Sequence, residues 1–237
     1  MAQPLNLAKP HRPIHVGVIL VKGETELLDI APVDMIHGLS RHFTKSLPDE
    51  LGPPGFKDGA IDMKFHWVTE HGPSTPGSLT SGLRVVPTDS FETCPPLDIV
   101  IVGAYVFGYV PSEAELAFAR KSYAQCAAFL AVCGGVDFPR RAGLLEGKTA
   151  TGPREIIPMW RADQSAGTTT TTTTNWVEKR WVRDGKMWTS GALFNGCDMM
   201  HNFAKHVWAD TPSGVIVDYL GKMGAWPDRD VDYKDAP

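Results

Sequence analysis

With 237 residues, 43% of them hydrophobic and 21% charged, the chain can bury a full core and is read as one large domain. Its net charge of −4, with no basic block longer than Arg140-Arg141, argues against a nucleic-acid footprint or a polybasic membrane surface and favours a small-molecule substrate. No apolar run reaches membrane-span length, residues 1–13 lack a signal-peptide core, and Cys94, Cys126, Cys133 and Cys197 show no CxxC or Cys/His spacing. A cytoplasmic location is therefore expected, with no disulfide framework, metal or other cofactor.

In chain order, residues 1–14 read as a flexible leader, broken by Pro4, Pro10 and Pro13. Residues 15–21 are nearly continuously apolar, the pattern of a strand buried on both faces of a parallel sheet. After a loop over 22–25, a helix is predicted from near Pro32 to about His42. Glu26 and Asp29 then lie beside the carboxyl edge of the sheet, although Asp29 is equally suited to cap the Pro32 helix. The Pro- and Gly-rich stretch 46–60 reads as a surface loop. Residues 63–69 alternate as a strand, 83–87 form a hairpin-like excursion, and 98–102 make another fully apolar strand ending in Gly103-Ala104-Tyr105. Ser112 and Glu115 stand at capping-box spacing and open a helix to about Gln125.

The run 129–132 then delivers Cys133 to a double glycine, Gly134-Gly135, with a helix expected from near Val136 to Gly143. A strand, a tight turn and a helix are the parts of a nucleophile elbow, where the amide after the nucleophile helps hold an oxyanion. Backbone N–H groups converging at a helix start are expected to lower the thiol pKa. Cys133 is thus the candidate nucleophile; the competing reading is an inert buried thiol, which would have no need of the two glycines.

Beyond the elbow, 144–150 is a turn into a short strand and 152–155 a helix start. The threonine tract 168–174 is expected to be a mobile surface loop without a chemical role. Residues 176–183 and 186–190 form a hairpin through Asp184-Gly185, and a helix covers about 198–207. This order predicts an open, mostly parallel α/β sheet covered on both faces, one domain over 15–225 with a tail over 226–237. Ligands of such sheets bind beyond the carboxyl ends of the strands, where 23–29, 103–105 and 133–135 would meet.

Val18-Ile19-Leu20-Val21-Lys22-Gly23, Ile30-Ala31-Pro32-Val33-Asp34, Cys94-Pro95-Pro96-Leu97-Asp98, Ala131-Val132-Cys133-Gly134-Gly135, the stretch 142–151 and the hairpin 184–191 together resemble the ThiJ/PfpI superfamily, relatives of class I glutamine amidotransferases. The block 175–181 and the hairpin look most like fungal members. The resemblance implies a flavodoxin-like fold, a homodimer, a reactive elbow cysteine, and an acid from the first loop leaning on it. Its members include glyoxalase III and deglycase enzymes, isonitrile hydratases, intracellular peptidases and stress proteins.

Departures from the family pattern sort these activities. The peptidase branch carries a histidine after its cysteine, where this chain has Gly134. Glyoxalase-like members carry one where this chain has Gly152-Pro153, so the base for that reaction is not supplied locally. His201 and His206 lack the paired Glu of a glutaminase and read as packing or surface residues, and no helix-turn-helix follows Trp226. Isonitrile hydratases, by resemblance, need only the cysteine and an acid. Ungapped counting from Pro32 puts Leu28 at the acidic position, whereas one missing glycine puts Asp29 there, with Glu26 adjacent. The expected function is a cofactor-independent, isonitrile hydratase-like lyase using Cys133, with Asp29 or Glu26 carrying protons and the Gly134 and Ala104 amides as oxyanion donors beside Gly103 and Tyr105. A glyoxalase or deglycase and a non-catalytic redox sensor are the alternatives.

Overall fold

Three short apolar runs form the centre of a seven-stranded sheet in the computed structural model, which describes residues 3–165 and 173–234. The strands are β1 (Ile14–Ile19), β2 (Met63–Thr69), β3 (Gly77–Ser78), β4 (Arg84–Val85), β5 (Asp89–Ser90), β6 (Ile99–Val102), β7 (Ala128–Val132), β8 (Thr149–Ala150), β9 (Asn175–Trp176), β10 (Trp181–Asp184) and β11 (Met187–Ser190). The α-helices are α1 (Leu27–Ile30), α2 (Val33–Gly38), α3 (Arg41–Ser46), α4 (Glu113–Gln125), α5 (Asp137–Arg141), α6 (Ile157–Ser165), α7 (Phe194–Trp208) and α8 (Gly214–Met223). The main sheet runs β10-β11-β7-β6-β1-β2-β5, parallel except for the β10–β11 hairpin. This is the expected flavodoxin-like arrangement. Small ribbons β3-β4 and β8-β9 lie outside it.

Alternation along the central strands sends side chains to two cores. Val16, Val18, Ile99, Ile101 and Leu130 pack with Ile30, Ile36, Met199, Phe203 and Ile216 of α1, α2, α7 and α8. Ile19, Val100, Val102, Phe129 and Ala131 pack with Phe118, Phe138, Ile157 and Trp160 of α4, α5 and α6. Because both faces are covered, β6 and β7 are buried at every position, which is why they are continuously apolar in sequence.

The capping box at Ser112 forms as predicted, and Glu115 also does more. Buried to 1% exposure, its carboxylate accepts the Lys22 N–H at 2.7 Å and the Tyr109 hydroxyl at 2.8 Å. One carboxylate thereby ties the loop after β1 to the loop after β6.

Several expectations are revised. The single helix expected over 32–42 is α2 and α3, parted at Leu39 and restarted by Ser40, whose hydroxyl accepts the Phe43 N–H. α8 was not anticipated from the sequence; Ile216, Val217 and Leu220 bury its apolar stripe. The leader is held down: Leu5 and Leu7 are buried, the Trp208 indole donates to the Leu7 carbonyl, and Arg12 forks onto Asp98 at 2.7 and 2.9 Å. Residues 168–172 of the threonine tract lie outside the described residues. Thr174 is packed, donating its hydroxyl to the Leu145 carbonyl. Among the described residues no helix is long and apolar enough to cross a membrane.

A half-buried chain links β1, β2 and β5: His15 Nδ1 lies 2.9 Å from His66 Nε2, and His66 Nδ1 lies 2.8 Å from Asp89. Burial, then the charge of His66, with smaller help from Arg12 and Lys64, lowers the His15 pKa from 6.5 against the pull of Asp98. The folded state therefore binds fewer protons here than the unfolded state, and stability falls as pH drops below 6.5. Urea unfolding at pH 7.5 and pH 5.0 should show His15→Gln losing less stability on acidification than the unmodified protein.

Candidate active site

β7 ends at Val132, and Cys133 takes φ +58°, a left-handed conformation that a side-chain-bearing residue holds only when its surroundings impose it. A 3-10 turn over Cys133–Val136 then feeds α5. The glycines explain how the turn closes. A Cβ at Gly135 would stand 2.6 Å from the carbonyl carbon and oxygen of Gly103, so only glycine lets the elbow press on the end of β6. A Cβ at Gly103 would stand 2.9 Å from the Cβ of Asp29, so that glycine in turn admits α1. The ends of β7, β6 and β1 interlock through these two contacts, at the switch point of the sheet.

This interlock brings together the three residues singled out in the sequence. One potential ligand atom each from Glu26, Asp29 and Cys133 lies within 4.8 Å of the other two, the one group among the described residues with the spacing of a metal-ligand set. Asp29 is fully buried; its Oδ2 accepts the Ala104 N–H at 3.0 Å and its Oδ1 has no hydrogen-bond partner. It does not cap the following helix, whose first position is preceded by Pro32. Glu26 is half-buried, and its N–H donates to the Ala104 carbonyl at 2.8 Å.

Burial pushes the Asp29 carboxyl up to about 7, with the nearby Glu26 charge adding to it and the Ala104 N–H opposing. Burial, then the Asp29 charge, pushes the Cys133 thiol up to about 12, while the Gly134 and Leu193 N–H groups pull it down. The expected low thiol pKa is thus overturned. A short 3-10 turn cannot offset desolvation and a neighbouring carboxylate, so the resting sulfur carries its proton.

The other expected site residues divide. Gly134 and Tyr105 line a cavity of about 310 Å³, with the Tyr105 hydroxyl donating to Asp137. Gly103 acts by its missing side chain. The Ala104 N–H, expected to hold an oxyanion, is instead engaged by Asp29. In its place stands a residue the sequence did not signal: Leu193, which precedes α7 at φ +53°, ψ −116° and whose N–H lowers the pKa of both Asp29 and Cys133. Nothing in a leucine's identity announces such a backbone. His201 is buried with Nδ1 near the Pro227 carbonyl, and His206 lies against Trp188, as expected of packing residues. A larger cavity, about 460 Å³, lies by Arg12, Arg41 and Ser213, before the start of β1 and away from the thiol.

No family model matches the chain. An isonitrile hydratase of Pseudomonas putida is 32% identical over 164 residues, which span 67% of this chain and 66%, just under two thirds, of that protein. A ThiJ/PfpI family protein from Pseudomonas syringae superposes with a TM-score of 0.66 over 95% of this chain and 80% of its own, at 20% identity. Drosophila melanogaster DJ-1beta does so at 0.63 over 90% of this chain and 98% of its own, at 14% identity. An AraC family transcriptional regulator from Pseudomonas putida also reaches 0.63, over 88% of this chain and all of its own, at 15% identity; these low identities speak for the fold alone. With the elbow cysteine and first-loop acid in place and a 32% identical relative in the family, the chain belongs to the ThiJ/PfpI superfamily.

Proposed function

We propose that the protein is a cysteine-dependent hydratase that converts an isocyanide and water into an N-substituted formamide. The observation that carries the reading is the buried carboxyl of Asp29, poised near neutral pH and gathered with Glu26 around the Cys133 sulfur. A protonated thiol beside such an acid needs a base at the moment of attack, and Asp29 is placed to be one. As sulfur bonds to the terminal isocyanide carbon, the thiol proton passes to Asp29, which returns it to that carbon, giving a thioimidate. Water, losing a proton to the carboxylates, then adds to the same carbon. The proton taken from water passes to the nitrogen. As the C–S bond breaks, the new hydroxyl gives its remaining proton, by way of the carboxylates, to the departing sulfur, and the formamide leaves with the thiol restored. The Gly134 and Leu193 N–H groups favour sulfur as the departing thiolate.

The cavity beside Gly134 suits the substituent on nitrogen. Tyr105, Val106, Phe107, Ile156, Met159 and Trp160 give it an apolar and aromatic wall. Its charged groups are paired internally, Arg140 with Asp137 and Asp163, and Arg141 with Asp137. Such a pocket favours a neutral, apolar group.

Cys133→Ala should lower isocyanide turnover by roughly 10³-fold or more, and chelation with EDTA should leave the rate unchanged. Asp29→Asn should cost roughly 10²–10⁴-fold, and the rate of the unmodified enzyme should rise with pH through about 7 as Asp29 loses its proton. Wild-type turnover in either variant overturns the reading. Because the folded pKa of Asp29 is raised, the folded state binds more protons than the unfolded state between 3.8 and about 7, and stability falls as pH rises through that window. Asp29→Asn should therefore raise the unfolding free energy at pH 8, by at most about 4 kcal/mol, and not at pH 4, with the melting temperature rising at pH 8 alone. For the cavity, kcat/KM should be roughly tenfold or more higher for a benzyl than for a methyl isocyanide, and Phe107→Ala or Met159→Ala should narrow that ratio.

A further inference from the structure

Residues 227–234 do not trail from the fold. Arg229 donates its N–H to Asp198 Oδ1 at 2.9 Å and its Nη2 to Asp198 Oδ2 at 2.5 Å, and Asp198 is fully buried in the second turn of α7. The same Nη2 lies 3.3 Å from Asn195 Oδ1, and the Asn195 amide donates back to the Ala192 carbonyl at 2.8 Å. Further along, the Tyr233 ring meets two guanidinium groups, that of Arg154 at 4.9 Å and that of Arg180 at 4.8 Å from its centroid. Arg180 is buried and donates to the carbonyls of Asp230 and Asp232, while its own carbonyl accepts the Gly191 N–H at 2.9 Å. A Cβ at Gly191 would stand 2.5 Å from the Tyr233 hydroxyl.

These contacts converge on one short segment, 191–195, where β11 leads into the first residues of α7. Its middle residue, Leu193, holds the left-handed backbone described above, a conformation a leucine does not keep unaided. The turn abuts the elbow from both ends. Ser190 pairs in register with Val132, and a Cβ at Gly196 would strike Val132 Cγ1 at 2.5 Å, so the residue before Cys133 is clamped between the end of β11 and the first turn of α7.

We propose that the C-terminal segment is a brace for the nucleophile: Arg229, through Asn195, and Tyr233 are positioning residues that hold the 191–195 turn and keep the Leu193 N–H against Cys133. None of them touches the sulfur. Their removal lets Leu193 relax from its left-handed backbone and withdraws one of the two N–H groups that favour the thiolate. The inference rests on Cys133 as the nucleophile and is independent of which substrate it attacks.

The test is the rate of Cys133 alkylation by iodoacetamide in the full-length protein at pH 8, read by peptide mass spectrometry against Cys94 in the same molecules. Asn195→Ala and Tyr233→Ala should slow Cys133 roughly three- to tenfold with Cys94 unchanged, since one backbone hydrogen-bonding group is lost from the sulfur. Tyr233→Phe keeps the ring against both guanidinium groups and should restore most of the rate. Arg229→Lys is the milder companion to Arg229→Ala, which strands the buried Asp198 charge and is at risk of misfolding. Lys205→Ala, which breaks the tail's pair with Asp228 away from the turn, is the control and should leave Cys133 alone. A merely structural role would loosen the site and speed alkylation. Unchanged or faster Cys133 alkylation in both Asn195→Ala and Tyr233→Ala, or equal slowing in Lys205→Ala, overturns the proposal. Isocyanide turnover plays no part in the measurement, so failure of the hydratase reading and failure of the brace are separate results.

Discussion

The site depends on one close approach: the backbone of Gly135 against the backbone of Gly103, and Gly103 against Asp29. Three parallel strands side by side place their carboxyl ends close together, but ordinary side chains would keep the connecting loops apart. Two missing Cβ atoms let the elbow, the end of β6 and α1 nest, and that nesting buries a carboxyl group beside a thiol. Everything chemical about the site follows from this contact, because burial is the largest influence on both groups.

The consequence is a resting state unlike that of a cysteine activated by an imidazolium or a long helix. Desolvation and a like-charged neighbour favour the protonated thiol, so sulfur must lose its proton during the reaction to a group already at hand. A carboxyl group poised near neutral pH is suited to that task, and the same poise disfavours the folded state once the group ionises. Stability given up at Asp29 is the kind of local cost that functional sites carry.

Gly134, which stands where the resemblance places a histidine in the peptidase branch, takes part in shaping the pocket. It lines the cavity, and a Cβ there would come within 3.2 Å of the Ala104 Cβ. The same cavity is walled by Tyr105, Phe107 and Trp160. Glu115 steadies its rim by holding Tyr109 and the loop after β1, so a residue legible as a helix cap also anchors the pocket.

By itself the sequence determined whatever depends on local pattern. Continuous apolar runs marked β1, β6 and β7 because both faces of a parallel sheet are buried; Ser112 and Glu115 marked a helix start; the cysteine with its two glycines marked the elbow. Glu26 and Asp29 were legible as neighbours of the sheet edge, but not their union with Cys133, which needs three strand ends to be adjacent. Tertiary structure alone decided the rest. It set the thiol high rather than low, because desolvation is a property of the packed site and not of the strand–turn–helix motif. It assigned the Ala104 amide to Asp29, and it made an ordinary leucine, Leu193, present its N–H to the sulfur by forcing it into a backbone region that its side chain disfavours. It also turned the segments read as leader and tail into packed parts of the fold, since Leu7, Arg229 and Tyr233 find their partners far away along the chain, where no local pattern reaches.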